Sequence, residues 1–217
     1  MQGRNAADRP PQTEGLSPPP APVPADVAPE DILRAHAYRL LARFLSAPPS
    51  AADLRWAAAL QSDDTPFGKA VSAFARVCAR TTVQAASDEY HTLFIGLTRG
   101  ELVPYGSYYL SGFLHEKPLA KLRGDMQQLG IARDPAMSDP EDHIASELEI
   151  MAGLIDGSYG PPPTLAAQQR FFEVHIGSWA PYFFRDLAGA QSSLLYAALG
   201  AIGSAFLAIE ESAFRMS

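Results

Sequence analysis

The sequence predicts an all-α fold, a single globular domain of several helices. Three observations carry that prediction. Apolar residues recur at helical spacing in segment after segment, no stretch alternates with period two between hairpin turns, and prolines and glycines punctuate the periodic runs. With 217 residues, 47% of them hydrophobic and 19% charged, the chain can bury one substantial core and has a globular composition.

Residues 1–29 hold eight of the 19 prolines and few large apolar side chains. Such a segment cannot offset its ordering entropy, so a disordered tail is expected there and a helical domain over 30–217. No apolar run follows Met1, so no signal peptide is expected.

Pro29 opens a helical pattern with Leu33, Ala37, Leu40, Leu41, Phe44 and Leu45 on one face, and Pro48 and Pro49 stop it. Ser50 and Asp53 have capping-box spacing and predict a short helix through Leu60. Phe67, Val71, Phe74 and Cys78 mark the next helix. Cys78, the one cysteine, reads as a small core residue, and a chain without a disulfide framework suits the cytoplasm. Thr81 and Gln84 form a second possible box before Val83, Ala86, Tyr90, Leu93 and Phe94.

The pattern then breaks. Gly96, Gly100, Pro104 and Gly106 predict a loop that carries Leu102, Val103, Tyr105, Tyr108, Tyr109 and Leu110. An aromatic loop is either folded onto the core or an exposed binding surface, and both readings stand. Helical order resumes near Pro118 with Leu119, Leu122, Met126 and Leu129, and Gly130 sits at a C-cap position.

An acidic helix is expected from Pro140 to about Ile155, with Asp139 as cap, Pro140 in the first turn and Gly157 closing it. From Asp134 to Gln169 there are seven carboxylates and no Lys or Arg, so this start is a solvated acidic face or a site awaiting a cation. Phe171, Phe172, Ile176, Trp179, Phe183 and Phe184 begin an aromatic-rich helical pair. Leu194 to Phe214 supplies the last helix, whose greasy run to Ile209 falls short of the roughly 20 residues of a bilayer span. The count comes to roughly eight to ten helices.

Chemistry is harder to find. Glu-x-x-His, His-Glu-x-x-His and paired histidines one turn apart are all missing, and His143 with Glu147 is half a metal site at most. Neither a nucleophile elbow nor a phosphate-binding glycine loop occurs. No catalytic residue, metal ligand or cofactor is therefore expected; the alternative is an all-α metal-binding or hydrolytic enzyme built on Asp142 and His143. The net charge of −7 disfavours nucleic acid and tolerates a basic peptide. An acidic helix start beside an aromatic stretch suits a peptide that is basic at one end and apolar along its length. For His143 a structural and a peptide-contacting role both stand.

The segments Tyr90-His-Thr-Leu-Phe-Ile-Gly96, Pro104-Tyr-Gly-Ser-Tyr-Tyr-Leu110 and Asp139-Pro-Glu-Asp-His-Ile-Ala145 resemble the TorD/DmsD/NarJ family of redox-enzyme maturation chaperones. The resemblance spans residues 32–211. It implies a cytoplasmic, non-catalytic chaperone that binds the twin-arginine signal of an apo-molybdoenzyme catalytic subunit until its cofactor is inserted. It places signal-binding positions at Tyr90, Leu93, Phe94, Pro104, Tyr105, Ser107, Tyr109, Asp139, Asp142 and His143, and it allows a monomer or a domain-swapped dimer. The DmsD branch carries tryptophan where Tyr90, Tyr105 and Tyr109 stand. The loop wording from Gly96 to Gly112 looks closer to members that accompany formate dehydrogenases.

Overall fold

The structure, a computed structural model, describes residues 27–96, 99–133 and 139–216. The tail expected over 1–29 therefore lies, up to residue 26, outside the described residues. Those residues form ten α-helices and a single isolated bridge, with no sheet.

Helix α1 (Pro29–Ser46) begins with proline and two acids, as its sequence dictates, and runs out before Pro48. Helix α2 (Ala51–Ala58) starts in a complete Ser50–Asp53 capping box and ends two residues earlier than periodicity suggested. Helix α3 (Pro66–Cys78) is capped by Thr65. Helix α4 (Val83–Tyr90) is capped by Thr82 and not by Thr81. The Thr82 hydroxyl accepts from Ala85 N at 3.1 Å, while Thr81 spends its hydroxyl on the Val77 carbonyl of the preceding helix. A π turn, His91–Ile95, continues α4 to Gly96.

The expected loop from 96 to 112 contains a six-residue helix, α5 (Gly106–Ser111), ended by Gly112 in the left-handed region at φ 82°. Helix α6 (Lys117–Gln128) follows. Helix α7 is Ile144–Asp156, four residues shorter at its start than expected, and stops at Gly157. Helix α8 (Leu165–Phe171) runs into a second π turn, Phe172–Ile176, before α9 (Ala180–Ala188) and α10 (Leu195–Arg215).

Helix α7 is the centre of the core. All its residues except Ser146 and Glu149 are buried, which is the signature of a helix packed on every side. It lies against α1, and α10 lies against α3 and α9. Helix α10 has 21 residues and is, among the described residues, the one helix long and apolar enough to cross a membrane. The apolar run from Leu194 to Ile209 is shorter than a bilayer span, but the helix continues to Arg215. Its packing is that of a core helix, and it carries a buried charge. Glu210 accepts two bonds from the Arg34 guanidinium, at 2.8 and 2.9 Å, and one from the Tyr38 hydroxyl at 3.0 Å. A carboxylate that deep is tolerable only with such partners.

Helices α9 and α10 approach closely through glycines. A Cβ on Gly200 would stand 2.4 Å from the Ala188 backbone nitrogen. Backbone cannot yield as a flexible side chain can. Gly200→Ala is expected to lower the unfolding free energy by about 1–3 kcal/mol, as overpacking does. Urea unfolding would show this as a lower midpoint at unchanged slope; an unchanged midpoint would show that the helices part at little cost.

Candidate functional site

Three segments converge where α5 and α7 begin. Tyr105 and His143 pair as an isolated antiparallel bridge, with Ile144 N donating to the Pro104 carbonyl at 2.9 Å and Gly106 N donating to the Asp142 carbonyl at 2.8 Å. The Asp142 carboxylate adds a third link, its Oδ2 accepting from Ser107 N at 2.8 Å. These bonds explain why α7 starts late. A helix beginning at Pro140 would direct the Asp142 carbonyl along its own axis; here that carbonyl faces α5 instead. Pro140 to Asp142 form a turn, closed by His143 N on the Pro140 carbonyl at 3.1 Å. The N-cap is His143 and not Asp139: its Nδ1 accepts from Ala145 N at 3.2 Å.

The acids of this turn have different fates. Glu141 is neutralised from outside the stretch, by Arg123 at 2.7 Å and Arg133 at 3.7 Å, so the expectation of an unneutralised helix start is corrected. Asp139 accepts from the Tyr105 hydroxyl at 3.0 Å. Burial and then the Asp139 charge push the Tyr105 phenol well above its ordinary range. Asp142 is 2% exposed, and its Oδ1 has no hydrogen-bond partner among the described residues. The Ser107 hydroxyl is likewise unpartnered.

His143 is buried, with the Tyr105 ring edge-on at 5.0 Å. Burial pulls its pKa down to about 4 against the pull of Asp139 and Asp142, so the ring is neutral at pH 7 and free to accept at Nδ1. Among the described residues its ring makes no bond to the Glu147 side chain; the Glu147 amide donates to the His143 carbonyl at 3.1 Å. Glu147 instead accepts from the Trp179 indole nitrogen at 2.9 Å, and burial pushes its carboxyl well above the usual range despite that bond.

Each expected site residue can now be placed. Pro104, Tyr105, Ser107, Asp139, Asp142 and His143 meet at the bridge. Asp139 and Tyr105 are partly exposed there, whereas Pro104 and Ser107 are buried. Tyr109 leans the other way, onto Trp179 at 5.4 Å and Phe183 at 6.0 Å, with its hydroxyl on Asp186 at 3.2 Å. Tyr90 and Leu93 belong to the core and Phe94 is half-buried against Tyr90 and Tyr196. This group adjoins the bridge: Leu102 N donates to the Leu93 carbonyl at 2.8 Å, and the Asp139 charge adds to burial in raising the Tyr90 phenol.

The sequence reading missed the arginines on Glu141 and the pairing of Glu147 with Trp179. A lone acid among Ile144, Leu148 and Met151 was the available sign that Glu147 is buried and needs a donor. Among the described residues no three His, Cys, Asp or Glu side chains cluster as a metal site requires. Cys78 is buried, and burial pushes its thiol up to about 12.

A family model described as the nitrate reductase delta subunit matches residues 60–185, which contain every site position named above. The chain belongs to this family. It is the grouping that the TorD/DmsD/NarJ resemblance indicated. Relatives include the chaperone protein TorD of Vibrio cholerae serotype O1, 29% identical over 126 residues, covering 55% of this chain and 57% of that protein. A Tat proofreading chaperone, DmsD, of Haemophilus influenzae is 32% identical over 118 residues, covering 54% and 55%. The alignment thus spans little more than half the length of these curated relatives. Their names describe chaperones and not catalysts. A redox enzyme maturation protein from Archaeoglobus fulgidus shares the fold, with a TM-score of 0.56 at 22% identity over 81% of this chain and 94% of that one.

The burial of His143 gives a pH signature. Its pKa is 6.5 unperturbed and about 4 in the fold, so the native state holds fewer protons between those values. Its stabilising contribution is complete above pH 6.5 and is lost as pH falls toward 4. Glu147 acts with opposite sign, because its raised pKa lets the fold take up a proton first. The difference between wild type and His143→Gln therefore isolates the histidine. The wild type is expected to lose on the order of 3 kcal/mol more than the variant between pH 7 and pH 4. Urea melts across that range check it, and a constant gap would show that His143 is not held neutral.

Proposed function

We propose that this chain is a cytoplasmic chaperone for an apo-molybdoenzyme catalytic subunit. It binds the twin-arginine signal of that subunit and holds it from export until the molybdenum cofactor is inserted. The client is of the formate dehydrogenase or TMAO/DMSO reductase kind. The observation that supports this reading best is the Asp139–His143 turn. It sets one half-exposed carboxylate and one buried carboxylate with an open oxygen beside aromatic side chains. Family membership and the chaperone relatives support it independently.

In this reading the guanidinium groups of the signal meet Asp139, displacing the Tyr105 hydroxyl, and reach the free Oδ1 of Asp142. Half-exposed Phe94, Tyr105 and Tyr109 take the apolar segment, while buried Leu93, Pro104 and Ser107 shape the surface from beneath. Tyr90 backs this surface and His143 orients the turn. Exposed ion pairs contribute only about 0–1 kcal/mol each, so apolar contact at roughly 25 cal/mol per Å² supplies most of the affinity. The carboxylates supply the preference for arginine. A chaperone must also release its client, which fits a dissociation constant near micromolar, about −8 kcal/mol.

The test is a calorimetric titration with a client signal peptide and its twin-lysine counterpart. Asp142→Asn keeps an oxygen for Ser107 N and so preserves the tether while removing the charge. It is expected to weaken the twin-arginine peptide by at least about thirtyfold, the lower end for truncating a buried charge pair. Tyr105→Ala is expected to weaken both peptides. Unchanged binding in both variants would refute the assignment, and equal affinity for arginine and lysine peptides would reduce the protein to a general apolar binder.

A further inference from the structure

Beside the Asp142 turn lies a cavity of about 230 Å³ between α5, the start of α6, the first turn of α7 and the second π turn. Leu110, Val174 and the Trp179 ring give it apolar walls, Lys117 and Lys121 line it from α6, and Glu147 lines it from α7. The volume lies just below the roughly 300–1,000 Å³ of drug-sized ligand pockets. It suits one ring and one charged group.

Glu147 gives the cavity its chemistry. The residue is 2% exposed, and its Oε2 is taken by the Trp179 indole. Its Oε1 lies 3.3 Å from where a Cβ on Gly106 would stand. The glycine thus leaves this oxygen uncovered. Burial favours the protonated carboxyl, and the indole donor on Oε2 leaves the hydroxyl at Oε1. The polar floor of the cavity is then a donor. Lys117 is exposed and makes no ion pair among the described residues, while Lys121 shares Asp125 with His175, at 3.3 and 2.8 Å. Both basic side chains that line the cavity, Lys117 and Lys121, disfavour a cation there. An anion would meet complementary charge from Lys117 and Lys121.

We propose that this cavity binds a small aromatic monocarboxylate, with the ring against Leu110, Val174 and Trp179 and the carboxylate between Lys117 and Lys121. The site stands apart from the signal-peptide reading, since none of Asp139, Asp142 or His143 lines it.

The two tryptophans make the test direct. In 15N–1H spectra of the full chain the Trp179 indole reports on the cavity. Trp56, half-exposed on α2, is the internal reference. Benzoate, benzamide and benzamidine share one shape and differ in charge. Benzoate is expected to move the Trp179 indole peak saturably, with a dissociation constant in the millimolar range, and to leave Trp56 in place. Benzamide should bind about tenfold more weakly and benzamidine more weakly still. Lys117→Gln, at an exposed position, should weaken benzoate by about two- to fivefold, the worth of one exposed pair. A Trp179 peak that does not move, or moves only as Trp56 does, overturns the proposal. So does benzamidine binding more tightly than benzoate, which would mean that Glu147 is charged. Unaltered benzoate affinity in Lys117→Gln overturns the placement of the carboxylate.

Discussion

Asp142 ties two helices together at their first residues. Its carbonyl takes the Gly106 amide and its carboxylate takes the Ser107 amide, both at 2.8 Å. Much follows from that double link. A six-residue helix is too short to be stable alone, and α5 exists because its leading amides are held from outside. The same link commits the Asp142 carbonyl to α5, so α7 begins at Ile144, capped by His143, and not at Pro140. Tyr105 is thereby laid over His143, and its hydroxyl falls on Asp139. Gly106 completes the arrangement, since a Cβ there would stand 3.0 Å from the Trp179 indole nitrogen.

The acidic stretch turns out to be electrostatically uneven. Glu141 is spent on two arginines, Asp139 is lightly held by a phenol, Asp142 is buried with one oxygen open, and Glu147 is pushed toward its neutral form. Of these four acids Glu141 is held by arginine, whereas Asp139 and Asp142 are held by neutral donors. The surface is thus narrower in its demands than a run of seven carboxylates suggests. It places acid at one edge and half-buried aromatics beside it.

How much was legible in the sequence depended on range. Faces such as Leu40, Leu41, Phe44 and Phe67, Val71, Phe74 were readable because one helix sets their spacing, although Leu33, expected on the first of these, is exposed. The Ser50–Asp53 box was readable for the same reason. Errors arose where a distant partner decided the outcome. Thr82 took the cap because Thr81 was engaged by the preceding helix. Pro140 carried every local mark of a first helical turn and lost to bonds with α5, some 35 residues away. The aromatic loop proved half helical, because proximity to Trp179 and Phe183 is invisible in sequence. The buried acid Glu210 passed unremarked, its partner Arg34 lying at the opposite end of the chain.

The central claim is that a twin-arginine signal engages the joined starts of α5 and α7. Hydrogen–deuterium exchange with and without a client signal peptide tests this most directly. The account predicts slowed exchange in residues 103–109 and 139–145. Leu33, Trp56 and Phe67 line a separate groove of about 970 Å³ between α1, α2 and α3. Protection confined to that groove, with the α5–α7 junction unaltered, would contradict the account.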